Sequence, residues 1–383
     1  MKLNLNCTPM SEATMGRVFL MAILIVAIRV SAESLDVDPT AVDWGHIAVH
    51  AGASREIVKR AEPITIAIID TGADLQHPLL KNSFWKNPGE TGTDAQGRDK
   101  STNGIDDDKN GYVDDVSGWN FASGNNDLSD HHGHGTHIAG LIGAATRAPS
   151  LQEGIAPGVR LMILKYYDPR AKGADNLKAL IEALHYATLM KVRIINYSGG
   201  GAVANTAERA SIRAAHESGI LVVAAAGNEA ANSDLRPFYP ADYGLPNVLS
   251  VGAHDSEAKI ISSSNFGLRS VDFFAPGDAI LSTMPMGQRG EMTGTSQATA
   301  FVTGAAALLL TQRPDLTDPA QVIAHLRASV HFETSIAGRA RAPGRLDLLR
   351  TLAIQDAGRS FSGYRIEKPA PNLRTRIPAV QRD

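Results

Sequence analysis

Four short stretches carry residue types that could do chemistry together. In Gly294-Thr295-Ser296 a serine sits between a glycine-bearing turn and a long small-and-apolar run that continues to Leu310. That placement suits a nucleophile in the first turn of a buried helix, where unpaired N–H groups and the helix dipole favour a developing negative charge. An isolated Gly-Thr-Ser is also an ordinary way to cap a core helix. His131-His132-Gly133-His134-Gly135-Thr136-His137 leads into Ile138-Ala139-Gly140-Leu141-Ile142. Zinc would call for HExxH spacing or cysteine partners, which the sequence lacks, so the stronger reading is one catalytic histidine at a helix start. Asp70 closes the β-branched run of residues 64–69, and is either a turn residue or a site carboxylate, since ligand sites in open α/β sheets lie at strand carboxyl ends. Asn228 follows the apolar run 220–226; it is a turn former or a donor that could meet an oxyanion without titrating.

A fifth stretch suggests a metal. Between residues 86 and 130 the chain is rich in Gly, Asn and Asp, and within it Asp106, Asp108 and Asn110 alternate ahead of Gly111. This matches the first half of a calcium loop, with the Tyr112 carbonyl next in order. Position twelve is Ser117 rather than a bidentate glutamate, so Asp115, Asp114 or another segment must complete the shell. We expect structural calcium on Asp106, Asp108, Asn110, Tyr112 and Asp115, since carboxylates so crowded repel unless neutralised. The competing reading is a solvated acidic turn.

The elements that must hold these residues are legible as alternation. Apolar runs at 64–69, 161–164, 193–196, 220–226, 248–251 and 271–274 read as buried strands. A helical pattern at 174–190 lies between two of them, residues 54–60 suggest a short helix, Asp318-Pro319 opens an amphipathic helix to 330, and 344–354 reads as a last one. Such alternation predicts a three-layer α/β/α fold with a mainly parallel central sheet joined by right-handed crossovers.

Taken in chain order, Asp70-Thr71-Gly72, Gly133-His134-Gly135-Thr136-His137, Ala225-Ala226-Gly227-Asn228 and Gly294-Thr295-Ser296 resemble the motifs of the subtilisin family of serine endopeptidases. The resemblance covers roughly residues 40 to 355 and includes Ser198-Gly199-Gly200, Tyr239-Pro240-Ala241 and Ala275-Pro276-Gly277. It implies that Ser296 attacks the scissile carbonyl, His134 moves the proton, Asp70 orients the imidazole, and Asn228 with the Ser296 N–H binds the oxyanion. It further implies that Ser198, Gly199 and Gly200 pair with the substrate backbone, that Phe238 floors the primary side-chain pocket, and that the Tyr239–Pro240 bond is cis. A ring at Phe238 predicts a shallow pocket for small or medium apolar side chains; Glu229 at the rim could instead recruit a basic one. Two departures stand out: Ala300 replaces the family's usual proline, and Leu79 replaces the carboxylate that many members use for a different calcium site.

The remaining sequence bounds partners and compartment. With a net charge of −3, 43% hydrophobic and 20% charged residues, the 383-residue chain lacks the basic signature of a nucleic-acid binder. Residues 18–28 form an apolar run behind Arg17, closed by Arg29 and followed by Val30-Ser31-Ala32, so residues 1–32 read as a secretory leader, of which 1–14 could be a start-site artefact at Met15. The expected organisation is a peptidase domain at 33–358, with a calcium-type insert near 100–118, and an extended or disordered basic tail at 359–383. The expected protein is secreted or periplasmic and monomeric, has no membrane span once the leader is removed, acts on protein or peptide substrates, and needs no cysteine, since the sole Cys7 lies in the leader.

Overall fold

Strand β1, Thr65–Asp70, shows why the sheet is central. Its β-branched residues are buried on both faces, with Ile66 and Ile68 packed into one hydrophobic layer and Ala67 and Ile69 into the other. The computed structural model describes residues 43–54, 57, 62–145, 153–356 and 359–360. The leader, most of the 54–60 segment and most of the tail fall outside them. Beside β1 the strands are β2 (Gly118–Asn120), β3 (Arg160–Lys165), β4 (Ile194–Tyr197), β5 (Leu221–Ala225), β6 (Val248–His254) and β7 (Phe273–Pro276). A hairpin of β8 (Ile280–Met284) and β9 (Gln288–Met292) follows, then the short β10 (His331–Phe332) and β11 (Gly344–Arg345). The nine-stranded sheet has the order β10-β11-β7-β6-β5-β4-β1-β3-β2, parallel throughout except for β10. The chain leaves β1 towards β3 on one side and returns to β4 on the other, which makes the carboxyl end of β1 a switch point where a crevice opens.

Helices cover both faces. The first, α1 (Trp44–Ala48), begins at Asp43, whose carboxylate takes the Gly45 N–H at 2.8 Å and the Leu281 N–H at 3.0 Å, and the short α2 (Ala51–Ser54) follows it. Next come α3 (His134–Gly143), α4 (Gly173–Leu189), α5 (Thr206–Glu217), α6 (Thr295–Gln312), α7 (Pro319–Ala328) and α8 (Leu348–Ala353). Residues of α3, α6, α7 and α8 share the layer that holds Ile66, whereas α4 and α5 bury theirs in the layer that holds Ile69. This is the three-layer arrangement the alternation predicts. The 344–354 stretch splits into β11, which pairs with β7, and α8, because Arg345 is drawn into the sheet beside Phe274.

Helix α6 is buried from Thr295 to Leu310, as its unbroken small-and-apolar sequence requires. One side chain does not fit that environment. Gln297 is fully buried, and neither its Nε2 nor its Oε1 finds a hydrogen-bond partner among the described residues. A buried unsatisfied amide costs about 1–3 kcal/mol, so Gln297→Met, similar in shape and helix propensity, should stabilise the fold by about 1 kcal/mol or more. Urea unfolding of the pair in a Ser296→Ala background measures this: a raised midpoint at constant slope is expected, and a lowered one would mean that something satisfies the amide.

Candidate active site

All strands near the switch point run the same way, so their carboxyl ends reach one edge. Ile69 pairs with Tyr197 and Tyr197 with Ala224, which brings Asp70, Ser198 and the 225–228 turn side by side. Helices α3 and α6 point their N-termini at this edge, delivering His134 and Ser296. One cleft is lined by Asp70, His134, Ser198, Gly199, Gly200, Asn228, Phe238 and Ser296. Apart from Glu229, every residue singled out for catalysis or substrate contact thus lies in it.

His134 and Asp70 form the tightest pair. The imidazole Nδ1 lies 2.8 Å from Asp70 Oδ1 and 3.0 Å from Oδ2, with both residues buried. Burial pulls the His134 pKa down, but the charge and hydrogen bond of Asp70, with Asp130 further off, outweigh it and raise the pKa above its usual value. Asp70 also accepts the Thr71 N–H at 2.7 Å. Two glycines let α3 approach: a Cβ on Gly135 would stand 2.1 Å from the Gly72 carbonyl, and Gly133 begins the helix at φ +92°.

Asp130 was not singled out from the sequence, yet it builds the turn before His134. Its carboxylate accepts the N–H groups of His132, Gly133 and Thr136 and the hydroxyls of Thr71 and Thr136, at 2.7–3.0 Å. Burial alone would raise its pKa; these donors bring it below the ordinary carboxylate range. Since Thr71 Oγ1 also accepts the Gly135 N–H, Asp130 couples the end of β1 to the start of α3. An aspartate four residues ahead of a helix-start histidine is the only signal the sequence offers for it. The other histidines have separate roles. His137 is buried with Nε2 on the Ile280 and Gly290 carbonyls, and burial brings its pKa down to about 4. His132 lines the cleft edge-on to His134.

Ser296 is held by a reciprocal pair of bonds with Ser198. Its Oγ donates to the Ser198 carbonyl at 2.9 Å, while Ser198 Oγ donates to the Ser296 carbonyl at 3.2 Å. Behind it, Thr303 donates to Asn196 Oδ1 and Asn196 donates to Ser198 Oγ, which ties α6 to the end of β4. Asn228 is oriented by Thr295: its Oδ1 accepts the Thr295 N–H at 2.9 Å and the Thr295 hydroxyl at 3.1 Å. With the oxygen so fixed, the amide NH2 is left without a partner among the described residues and remains available to a ligand.

Phe238 sits between the two walls of the cleft. A Cβ on Gly200 would stand 2.4 Å from its ring, and one on Gly227 2.8 Å. The Tyr239–Pro240 bond is cis, and the Gly201 and Tyr239 backbones exchange hydrogen bonds of 2.8 and 2.9 Å, which fastens the floor to the 198–201 segment. Glu229 is not among the residues that line the cleft, and its Oε2 accepts from Asn265 at 2.8 Å.

In the acidic loop the structure rearranges the expected ligand set. The carboxylates with oxygens within 4.8 Å of one another are Glu90, Asp106 and Asp108. Glu90, unsuspected from the sequence, is fully buried; Oε1 accepts the Asp107 and Asp108 N–H groups, and Oε2 has no partner among the described residues. Asp115 stands behind them, its oxygens taken by Asn87, Asn110 and the Tyr186 hydroxyl. Asn110 Oδ1 accepts the Tyr112 N–H, and the Tyr112 ring packs edge-on against Trp119, Phe121 and Tyr186, so only its backbone could serve an ion.

The family model described as the subtilase family matches residues 62–349. Subtilisin DY of Bacillus licheniformis is 36% identical over 53% of this chain and 72% of its own length. An intracellular serine protease of Paenibacillus polymyxa is 33% identical over 80% of this chain and 85% of its own. Among solved structures, the epidermin leader peptide processing serine protease of Staphylococcus aureus superposes with a TM-score of 0.66, at 24% identity, over 83% of this chain and 81% of that one, a likeness of fold.

Proposed function

The chain belongs to the subtilase family of serine endopeptidases, and from that premise we propose that it cleaves peptide bonds within proteins through Asp70, His134 and Ser296. The observation that carries this reading is the two-oxygen grip of Asp70 on His134 Nδ1 in the cleft that also holds Ser296 and the Asn228 amide. That grip fixes the tautomer with Nε2 unprotonated, as a general base requires. A substrate strand laid on Ser198, Gly199 and Gly200 would offer backbone N–H groups to this edge. By competing for the Ser198 carbonyl it would release Ser296 Oγ to turn towards His134. Ser296 Oγ then attacks the scissile carbonyl as its proton passes to His134 Nε2. The oxyanion forms between Asn228 Nδ2 and the Ser296 N–H, and collapse expels the amine, which takes the proton from His134. Water repeats the sequence in reverse and frees the acid. Digestion of an unfolded protein tests the activity: internal cleavage that vanishes in Ser296→Ala supports it, whereas peptide capture without cleavage would make the protein a binder on the same fold.

The Phe238 ring takes up volume between Gly200 and Gly227, so side chains of Ala or Val size should be preferred before the scissile bond. In a peptide series varied at that position, kcat/KM is expected to be higher for Ala than for Phe, and the reverse order would refute the assignment of Phe238 as the floor.

We also assign structural calcium to Glu90, Asp106 and Asp108, with the Asn110 side chain and Tyr112 carbonyl beside them and Asp115 orienting Asn110 from behind. An all-oxygen donor set suits a hard cation, and the unpaired, fully buried Glu90 Oε2 lacks the positive charge such a group needs. Burial, followed by the like charges of Asp115 and Asp108, keeps the Glu90 pKa raised without an ion. For an ion at about a thousand times its Kd the linkage is about 4 kcal/mol, so EDTA should lower the Tm by roughly 10 °C. An unchanged Tm in excess chelator, or in Glu90→Gln, would remove the metal. Export follows from the apolar run 18–28 behind Arg17, and we place the protein outside the cytoplasm on that ground; no helix among the described residues is long and apolar enough to cross a membrane.

A further inference from the structure

A second cleft, of about 300 Å3, opens between the 241–248 segment and helix α7. Its lining includes apolar side chains such as Leu245, Pro246 and Ile323, together with Asp272, Arg327 and Arg341. The charges there are unequally served. Asp272 is buried; it takes the Ser250 N–H at 2.7 Å and Arg327 Nε at 2.7 Å, so this pair is closed. Arg341 lies 3.8 Å from Asp272 and donates Nε to the Arg269 carbonyl at 2.6 Å, while its terminal nitrogens have no partner among the described residues. Asp242, whose carboxylate accepts the Phe238 N–H at 2.7 Å, attracts Arg341 only through space, and Asp234 nearby is held by the Ser270 hydroxyl and the Arg269 N–H. What remains is one half-exposed guanidinium fork against an apolar wall.

We propose that this cleft binds a small organic carboxylate whose other end is apolar, such as the free carboxyl terminus of an apolar residue. A planar carboxylate matches the two terminal nitrogens of a guanidinium, and a side chain of leucine size fits against Leu245, Pro246 and Ile323. A phosphate dianion would demand more donors than the single open fork provides. Because Arg341 is partly solvated, the dissociation constant is on the order of 1 mM.

The test uses the full chain carrying Ser296→Ala, to prevent digestion, with N-acetyl-leucine as the probe and N-acetyl-leucinamide as its uncharged counterpart in calorimetric titration. The acid is expected to bind saturably and the amide roughly tenfold more weakly. Arg341→Gln should weaken the acid by a similar factor. Ala320→Phe, which fills the cleft from the first turn of α7 and leaves both arginines in place, should do the same and keeps the test valid if Arg341→Gln fails to fold. Equal binding of acid and amide, no saturation, or undiminished binding in folded Ala320→Phe would overturn the proposal.

Discussion

Replacing Ser296 with alanine is expected to lower kcat by roughly 10⁶-fold with little change in KM. The hydroxyl is the nucleophile of the proposed relay, and its removal leaves the substrate edge at Ser198 to Gly200 and the Asn228 amide untouched. Because the three side chains act as one relay, their losses should not add. A Ser296→Ala, His134→Ala double variant should be no slower than either single variant, retaining whatever acceleration comes from binding and the oxyanion donors alone. Kinetics on a chromogenic peptide, with the concentration of each folded variant fixed by absorbance, would show this. A double variant slower by the product of the single effects would mean that Ser296 and His134 act independently, which the proposed proton transfer forbids.

Asp70→Asn should cost about 10⁴-fold in kcat, because an amide can present N–H to His134 Nδ1 and hold the wrong tautomer. Its signature lies in the pH profile. In the parent the His134 pKa stands above its ordinary value: burial opposes the charged ring, but Asp70 more than compensates. The base is active only when neutral, so the acid limb of kcat/KM should fall above pH 6.5 and activity should be lost as pH drops through it. Once Asp70 loses its charge, burial prevails and the limb should move to lower pH. A limb that stays in place would mean that another group, rather than the Asp70–His134 pair, governs the ionisation.

The sequence made the central sheet legible because strands buried on both faces must be almost wholly apolar: Ile64 to Ile69 could hardly be anything else. What it hid lay at edges and in contacts between distant segments. The β8–β9 hairpin carries Gln288, Arg289 and Glu291, partly solvated residues with no apolar alternation to betray a strand. Helix α5 was passed over although Asn205 and Glu208 stand three apart at its start, with Asn205 capping Ala207 and Glu208. In the site, the acid, imidazole, alcohol and amide were each marked by a glycine turn at an element end, and the fold brings all four into one cleft. Glu90 was invisible for a different reason. It lies far upstream of Asp106 in a polar stretch, and only the folded loop buries it against Asp106 and Asp108. Asp130 went unmarked because its tie between Thr71 and Thr136 spans two elements.

In the proposed reaction the attacking atom is Ser296 Oγ. Reaction with a fluorophosphonate followed by peptide mapping tests this most directly. Labelling is expected on Ser296 Oγ, absent in Ser296→Ala and slowed by several orders of magnitude in His134→Ala. Folded protein that resists the reagent, or carries the label on Ser198 or Thr295 instead, would contradict it.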